Sequence, residues 1–238
     1  PIKSSAASDV YKRQKVYIEC IGDDLMNELV ISIKNAYKKF GEQVVLNDVS
    51  LEIYKGRIYG IIGRNGSGKT VLFKSICGFI LLDSGEITVS DKVIGKDVDM
   101  PKNVGLIIET PGFLKDYSAY WNLKFLADLN KKITNDDIKN AIRRVGLNPE
   151  DKKAVGKYSL GMRQRLGIAQ AIMENPDILV LDEPFNGLDK KGVTEMRSLL
   201  LQMKDEGKTI IMASHSSEDI DILCDEVYEM EAGKIVRE

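Results

Sequence analysis

Apolar residues along this chain follow two periods, and each change of period marks a change of structure. Between residues 28 and 62 the pattern is that of strands. Leu29-Val-Ile-Ser-Ile33 and Val44-Val-Leu46 flank a turn at Phe40-Gly-Glu42, and Val49-Ser-Leu-Glu-Ile-Tyr54 alternates with period two. Arg57-Ile-Tyr-Gly-Ile-Ile62 is a short apolar run that reads as a buried strand, and residues 85–94 read as a hairpin. Helical spacing then takes over at 118–132 and 134–145. Thr134 precedes a first turn carrying Asp136 and Asp137, and Gly146 lies just past the end, so the second helix is marked at both termini. Ile178-Leu-Val-Leu181 and Thr209-Ile-Ile-Met-Ala213 return as short β-rich runs, each after a helical segment. Strands alternating with helices predict a mostly parallel sheet covered on both faces. The expected α/β architecture is one core, an early antiparallel β subdomain and a helical insert over about 112–160, without internal repeats.

Into this pattern falls Gly63-Arg-Asn-Gly-Ser-Gly-Lys-Thr70, between the apolar run ending at Ile62 and the helically spaced Val71-Leu-Phe-Lys-Ser-Ile-Cys77. A G-x-x-x-x-G-K-[ST] string turns successive backbone N–H groups inward around an anion. It adds an ammonium for the β- and γ-phosphates and a hydroxyl for Mg²⁺. The strand before it and the helix after it aim a helix N-terminus at phosphate. Gly63, Arg64, Asn65, Gly66, Ser67, Gly68, Lys69, Thr70 and Val71 are therefore candidate nucleotide contacts. Leu179-Val-Leu-Asp-Glu-Pro184 supplies acids at the end of another apolar strand, and the pairing points to nucleotide hydrolysis.

Bulk composition narrows the class. In 238 residues, Lys+Arg 34 against Asp+Glu 36 leaves a near-neutral balance with no basic block, which disfavours nucleic acid as the main partner. Cys20, Cys77 and Cys224 are scattered without C-x-x-C spacing, which suits a reducing cytoplasm and implies neither a disulfide framework nor zinc. The longest apolar runs fall well short of the ~20 residues of a membrane span. Any membrane role needs other chains to do the spanning. Ser4-Ser-Ala-Ala-Ser-Asp-Val-Tyr-Lys-Arg-Gln14 resembles the translation of a transposase-type sequencing adapter. Residues 1–25 are expected to be a non-native or disordered leader, with Met26 a plausible start of the 26–238 domain.

Tyr158-Ser-Leu-Gly-Met-Arg-Gln-Arg165, ahead of Leu179-Val-Leu-Asp-Glu-Pro-Phe-Asn-Gly-Leu-Asp189 and then Ser214-His215, resembles the ATP-binding cassette (ABC) family over about residues 28–238. That resemblance implies the P-loop NTPase ABC-ATPase fold, ATP and Mg²⁺ as ligands, and a task for each position. Lys69 would neutralise phosphate, Thr70 and Asp182 would hold Mg²⁺, and Glu183 would orient and deprotonate the attacking water. His215 would touch the γ-phosphate, although a lone histidine after an apolar strand is more often structural. Phe40 would stack on adenine, with Tyr37 the substitute if the register slips and a core aromatic the plainer alternative. Ser159 and Gly161 would cap the γ-phosphate of a nucleotide held by another subunit, and 186–189, ending at Asp189, would communicate across the seam. Arg163 and Arg165 read as helix-surface supports of the signature loop.

Three positions depart from the family's common pattern. Glu109 stands where glutamine is usual, a candidate Mg²⁺ ligand and nucleotide contact that adds a carboxylate near Glu183. Leu160 and Met162 replace Gly and Gln in the signature. Val71 replaces a second hydroxyl, which removes one α-phosphate hydrogen bond. Glu109 with Leu-Gly-Met-Arg resembles the branch that exports, or gives immunity to, peptide antibiotics such as bacitracin and lantibiotics. The implied assembly is a homodimer or pseudo-dimer on the cytoplasmic membrane face with separate transmembrane permease subunits and no nucleic acid. A soluble cassette ATPase in assembly or regulation is the alternative. A DNA-repair ATPase is disfavoured by the near-neutral charge and the absence of long heptad arms.

Overall fold

The structure is a computed structural model that describes residues 28–109 and 111–237. The leader expected over 1–25 lies outside the described residues. Two sheets form the frame. The first is antiparallel, in the order β2-β1-β4-β5, from β1 (Leu29–Phe40), β2 (Gln43–Tyr54), β4 (Ser84–Val89) and β5 (Lys92–Val93). The second has the order β10-β9-β3-β8-β7-β6, from β3 (Ile58–Ile62), β6 (Val104–Ile107), β7 (Ile178–Asp182), β8 (Thr209–Ala213), β9 (Glu226–Glu231) and β10 (Lys234–Arg237). All its pairs are parallel except β9 with β10 at one edge.

Parallel strands covered on both faces need apolar side chains at every position, and the central strands divide them strictly by parity. Ile58, Leu179, Leu181, Ile210 and Met212 enter one core with α2 (Ala119–Asn130), α3 (Asn135–Arg144), α4 (Leu160–Ile172) and α5 (Lys190–Asp205). Tyr59, Ile61, Ile178, Val180, Ile211 and Ala213 enter the other, with α1 (Lys69–Ile76) and the antiparallel sheet. Each fully buried Ile or Leu contributes about 1.5–3 kcal/mol of transfer free energy. Between β6 and α4 lie α2, α3 and a 3₁₀ turn at Val155–Lys157. Thr134 caps α3 as expected: its Oγ1 accepts from Asp137 N at 3.3 Å, while Thr134 N donates back to the Asp137 carboxylate at 2.8 Å.

The first β layer differs from its sequence reading. Where three short strands were expected, β1 and β2 each run for 12 residues and pair from Leu29↔Tyr54 to Phe40↔Gln43. The polar break at Asn47-Asp48 is absorbed inside the hairpin. Asp48 adopts φ 61°, Asn35 opposite adopts φ 48°, and Asn35 Nδ2 donates to Asp48 Oδ1 at 2.8 Å. Asn and Asp tolerate left-handed backbone because their side chains bond locally, so they make a bulge where a strand end was read. Strands β6, β9 and β10 and helix α6 (Ser217–Leu223) are also additions of the structure.

Candidate functional site

Open parallel sheets bind ligands beyond the carboxyl ends of their strands. Here β3, β8 and β7 lie side by side and deliver the 63–70 loop, Ser214-His215 and Asp182-Glu183 to one end. Between them lies a cleft of about 410 Å³ whose lining includes Lys69, Thr70, Glu109, Asp182, Glu183 and His215.

The 63–70 loop joins β3 to α1 in a path that side chains would block. Gly63 sits at φ 145°, and a Cβ there would lie 2.2 Å from the Met230 carbonyl oxygen. Gly68, at φ 110°, caps α1, and a Cβ would lie 2.7 Å from Val45 O. Lys69 is 7% exposed, and its Nζ donates to the carbonyls of Gly63 at 2.7 Å and Arg64 at 3.2 Å. Its ammonium is thus held over the loop. Ser67 Oγ is buried with no hydrogen-bond partner, an orphaned polar atom in a loop built to receive an anion.

Thr70 Oγ1 donates to Asp182 Oδ2 at 2.7 Å, which places a hydroxyl and a carboxylate together between the first turn of α1 and the end of β7. That donor set suits Mg²⁺, which takes one or two protein oxygens and completes its octahedron with water and phosphate. Glu109 is not part of that pair. It lines the cleft with φ 61°, but its carboxylate reaches Lys74 Nζ on α1 at 2.5 Å.

Glu183 combines backbone strain with an unsatisfied acceptor. It adopts φ 52° although it is not glycine, a conformation that costs about 1–3 kcal/mol and persists only where the surroundings over-determine it. Burial pushes its carboxyl above the usual glutamate range; the His215 ring and backbone N–H work against that rise, and neighbouring Asp182 adds to it. His215 N donates to Oε2 at 3.4 Å. His215 Nε2 is 3.3 Å from Oε1, yet Oε1 is buried and accepts no hydrogen bond of good geometry. Glu183 lines the cleft, and a carboxylate there with an acceptor left unpaired is what a general base requires.

The remaining expected residues have other immediate tasks. Ser159 caps α4, accepting from Met162 N at 3.2 Å, and Asp189 caps α5, accepting from Gly192 N at 2.8 Å. Leu160 and Arg163 line the cleft near that cap. Arg163 Nη1 donates to Tyr158 O and so supports the signature loop as expected. Arg165 is a half-buried pin rather than a surface residue, donating to Val145 O and to Glu195 at 2.7 Å each. Phe40 lies at the tip of the β1–β2 hairpin, 48% exposed, with Lys38 Nζ 5.5 Å from its ring centre. It pairs with Gln43, and Gln43 and Val45 of β2 line the cleft.

Sequence reasoning overlooked Gln164, Arg197 and Asp219. Gln164, 9% exposed, donates to the carbonyls of Glu183 at 3.2 Å and Pro184 at 3.0 Å. Arg197 of α5 clasps Asp219 of α6, whose other oxygen accepts from Ser214 Oγ at 3.0 Å, next to His215. Gln164 stands inside the quoted signature run, and a polar residue at a helix position that amphipathic spacing assigns to the interior is a further signal that could have found it.

Comparison with known proteins agrees with this geometry. A sequence profile described as ABC transporter matches residues 46–186. An ABC transporter ATP-binding protein of Bacillus subtilis (strain 168), YybJ, is 47% identical over 206 residues, 87% of this chain and 94% of the relative. The bacitracin transport ATP-binding protein BcrA of Enterococcus faecalis is 40% identical over 216 residues, 90% of this chain and 70% of the relative. The dimeric structure of an ATP-binding cassette in a post-hydrolysis state, bound to ADP and Pi, superposes with a TM-score of 0.78 at 21% identity, covering 87% of this chain and 97% of that one. With the profile, the relatives and the P-loop cleft in agreement, the chain belongs to the ABC transporter family and is an ATPase, the ATP-binding subunit of a transporter.

Proposed function

We propose that two copies of this chain close head to tail around two ATP molecules and drive a membrane transporter for a peptide antibiotic or similar compound, in export or immunity. The observation that carries the hydrolytic part is the convergence of Lys69, Thr70–Asp182, Glu183 and His215 on one cleft at the carboxyl ends of β3, β7 and β8. Lys69 neutralises the β- and γ-phosphates. Thr70 and Asp182 would hold Mg²⁺, which would supply positive charge against the phosphates. The Glu183 carboxylate takes a proton from the attacking water, and His215 stands where it can bond the γ-phosphate. Phe40 offers an exposed aromatic face for adenine beside Gln43. Glu109, tied to Lys74, is left as a charge at the cleft rim that responds to bound metal or partner.

The head-to-tail pairing is supported by the N-terminus of α4, where Ser159 and Gly161 present a hydroxyl and backbone N–H groups, and by the dimeric form of the cassette matched above. No helix among the described residues is long and apolar enough to cross a membrane, and the relatives' naming as ATP-binding proteins of transporters supports separate spanning subunits. The compound class follows the name of the bacitracin transport relative. A Glu183→Gln variant mixed with ATP is expected to elute as a dimer on a sizing column and to turn over slowly. A variant that stays monomeric at saturating ATP removes the pairing. Co-purification from native membranes should bring down multi-span proteins, and their absence favours the soluble ATPase.

A further inference from the structure

The strained backbone of Glu183 has to be held by something, and its surroundings name the holder. Its N–H donates to Ala213 O of β8 at 3.0 Å, and its carbonyl accepts from Asn186 N at 3.2 Å in the following turn. Pro184 lacks an N–H and narrows the backbone choices of Glu183 before it. The Gln164 carboxamide, reaching from α4, uses its two N–H donors on two successive carbonyls, those of Glu183 and Pro184. The same helix seats against this segment at two more points. A Cβ on Gly161 would lie 2.9 Å from Gly187 O, and one on Gly187 would lie 2.4 Å from Leu160 Cγ. Gln164 follows the Ser159 cap by five residues, about 7.5 Å of helix rise.

We infer that Gln164 is a positioning residue for Glu183, fixing the strained backbone from which the general base projects and tying the N-terminal end of α4 to it. A displacement of the helix at Ser159 then reaches Glu183 through one rigid turn and a two-pronged amide. This rests on the reading of Glu183 as general base for its kinetic consequence, but not for its structural one.

Gln164→Met keeps length and volume and removes both donors. In the full chain it is expected to lower kcat for ATP hydrolysis at least tenfold, with Kd for ATP within about twofold of the parent. An unchanged kcat overturns the inference, and so does a loss traced wholly to weaker ATP binding. Packing alone could lower activity, so a double-mutant cycle on thermal stability supplies a second readout. Glycine adopts positive φ freely, so in the Glu183→Gly background the backbone needs no amide to hold it. Gln164→Met should lower the melting temperature by about 5 °C in the parent and by less than half that in the Glu183→Gly background. Equal drops in both backgrounds overturn the inference. If Gln164→Met alone does not fold, failure of Glu183→Gly to restore folding does the same. A separate Glu183→Gln variant with normal turnover would remove the general base while leaving the stability cycle to decide the role of Gln164.

Discussion

Arg197→Met tests the network that carries His215. Arg197 Nε and Nη2 both donate to Asp219 Oδ1, at 2.8 and 2.5 Å, and Nη1 donates to Glu218 at 3.0 Å. Asp219 is 4% exposed, and its second oxygen accepts from Ser214 Oγ, which in turn accepts from Ser216 N at 3.1 Å. Methionine fills much of the volume but leaves a buried carboxylate with one hydroxyl donor. Breaking a buried pair from one side costs about 3–5 kcal/mol, because the orphaned charge is not re-solvated. The Glu218 contact adds little, since that carboxylate is exposed and screened. For a domain of this size each kcal/mol is worth about 2–4 °C, so the melting temperature should fall by about 6–20 °C. Removing the charge as well, in Arg197→Met with Asp219→Asn, should recover a large part of the loss. Thermal melts and urea titrations followed by circular dichroism at pH 7.5 would measure both. A loss below about 1 kcal/mol, or strictly additive single effects, would refute the reasoning, since independent sites add and a shared charge pair does not.

Lys69→Ala should leave the melting temperature within a few degrees of the parent and abolish ATP turnover; normal turnover removes the P-loop assignment. Glu183→Gln should be more stable than the parent at pH 8: burial raises the folded-state carboxyl above its ordinary value of 4.5, so ionisation costs stability as pH rises through that interval. The advantage should shrink toward zero below pH 4, and melts across that range that show a constant gap contradict it. The Lys74–Glu109 pair is solvent-facing, so Lys74→Ala and Glu109→Ala should each cost under about 1 kcal/mol in chemical denaturation. Burial pushes the thiols of Cys77 and Cys224 up to about 12, which leaves roughly one thiolate in ten thousand at pH 8. Peptide mapping after brief iodoacetamide treatment should find both unmodified until denaturant is added.

Much of the site was legible because its chemistry is contiguous. The loop from Gly63 to Thr70 works through successive backbone groups, and the Thr134–Asp137 capping box closes within one turn, so order along the chain is nearly order in space. The apolar runs at 58–62, 178–181 and 210–213 declared buried parallel strands for the same reason: burial on both faces leaves few polar positions to confuse the pattern. The long β1–β2 hairpin was not legible, since Asn and Asp serve a bulge as readily as a strand end, and only pairing with the opposite strand decides between them. Glu109 shows the same limit. The sequence makes it a candidate metal ligand, and only the structure shows its carboxylate reaching Lys74, 35 residues earlier. Gln164 to Glu183 spans 19 residues and Arg197 to Asp219 spans 22. Local propensity and periodicity carry no information at that range, because which side chains meet depends on how α4, α5 and α6 settle against the sheet. Sequence alone therefore established a nucleotide-binding α/β chain and its chemical groups. Tertiary packing alone decided which buried residues hold those groups in place, since a side-chain contact between elements exists only once both are docked.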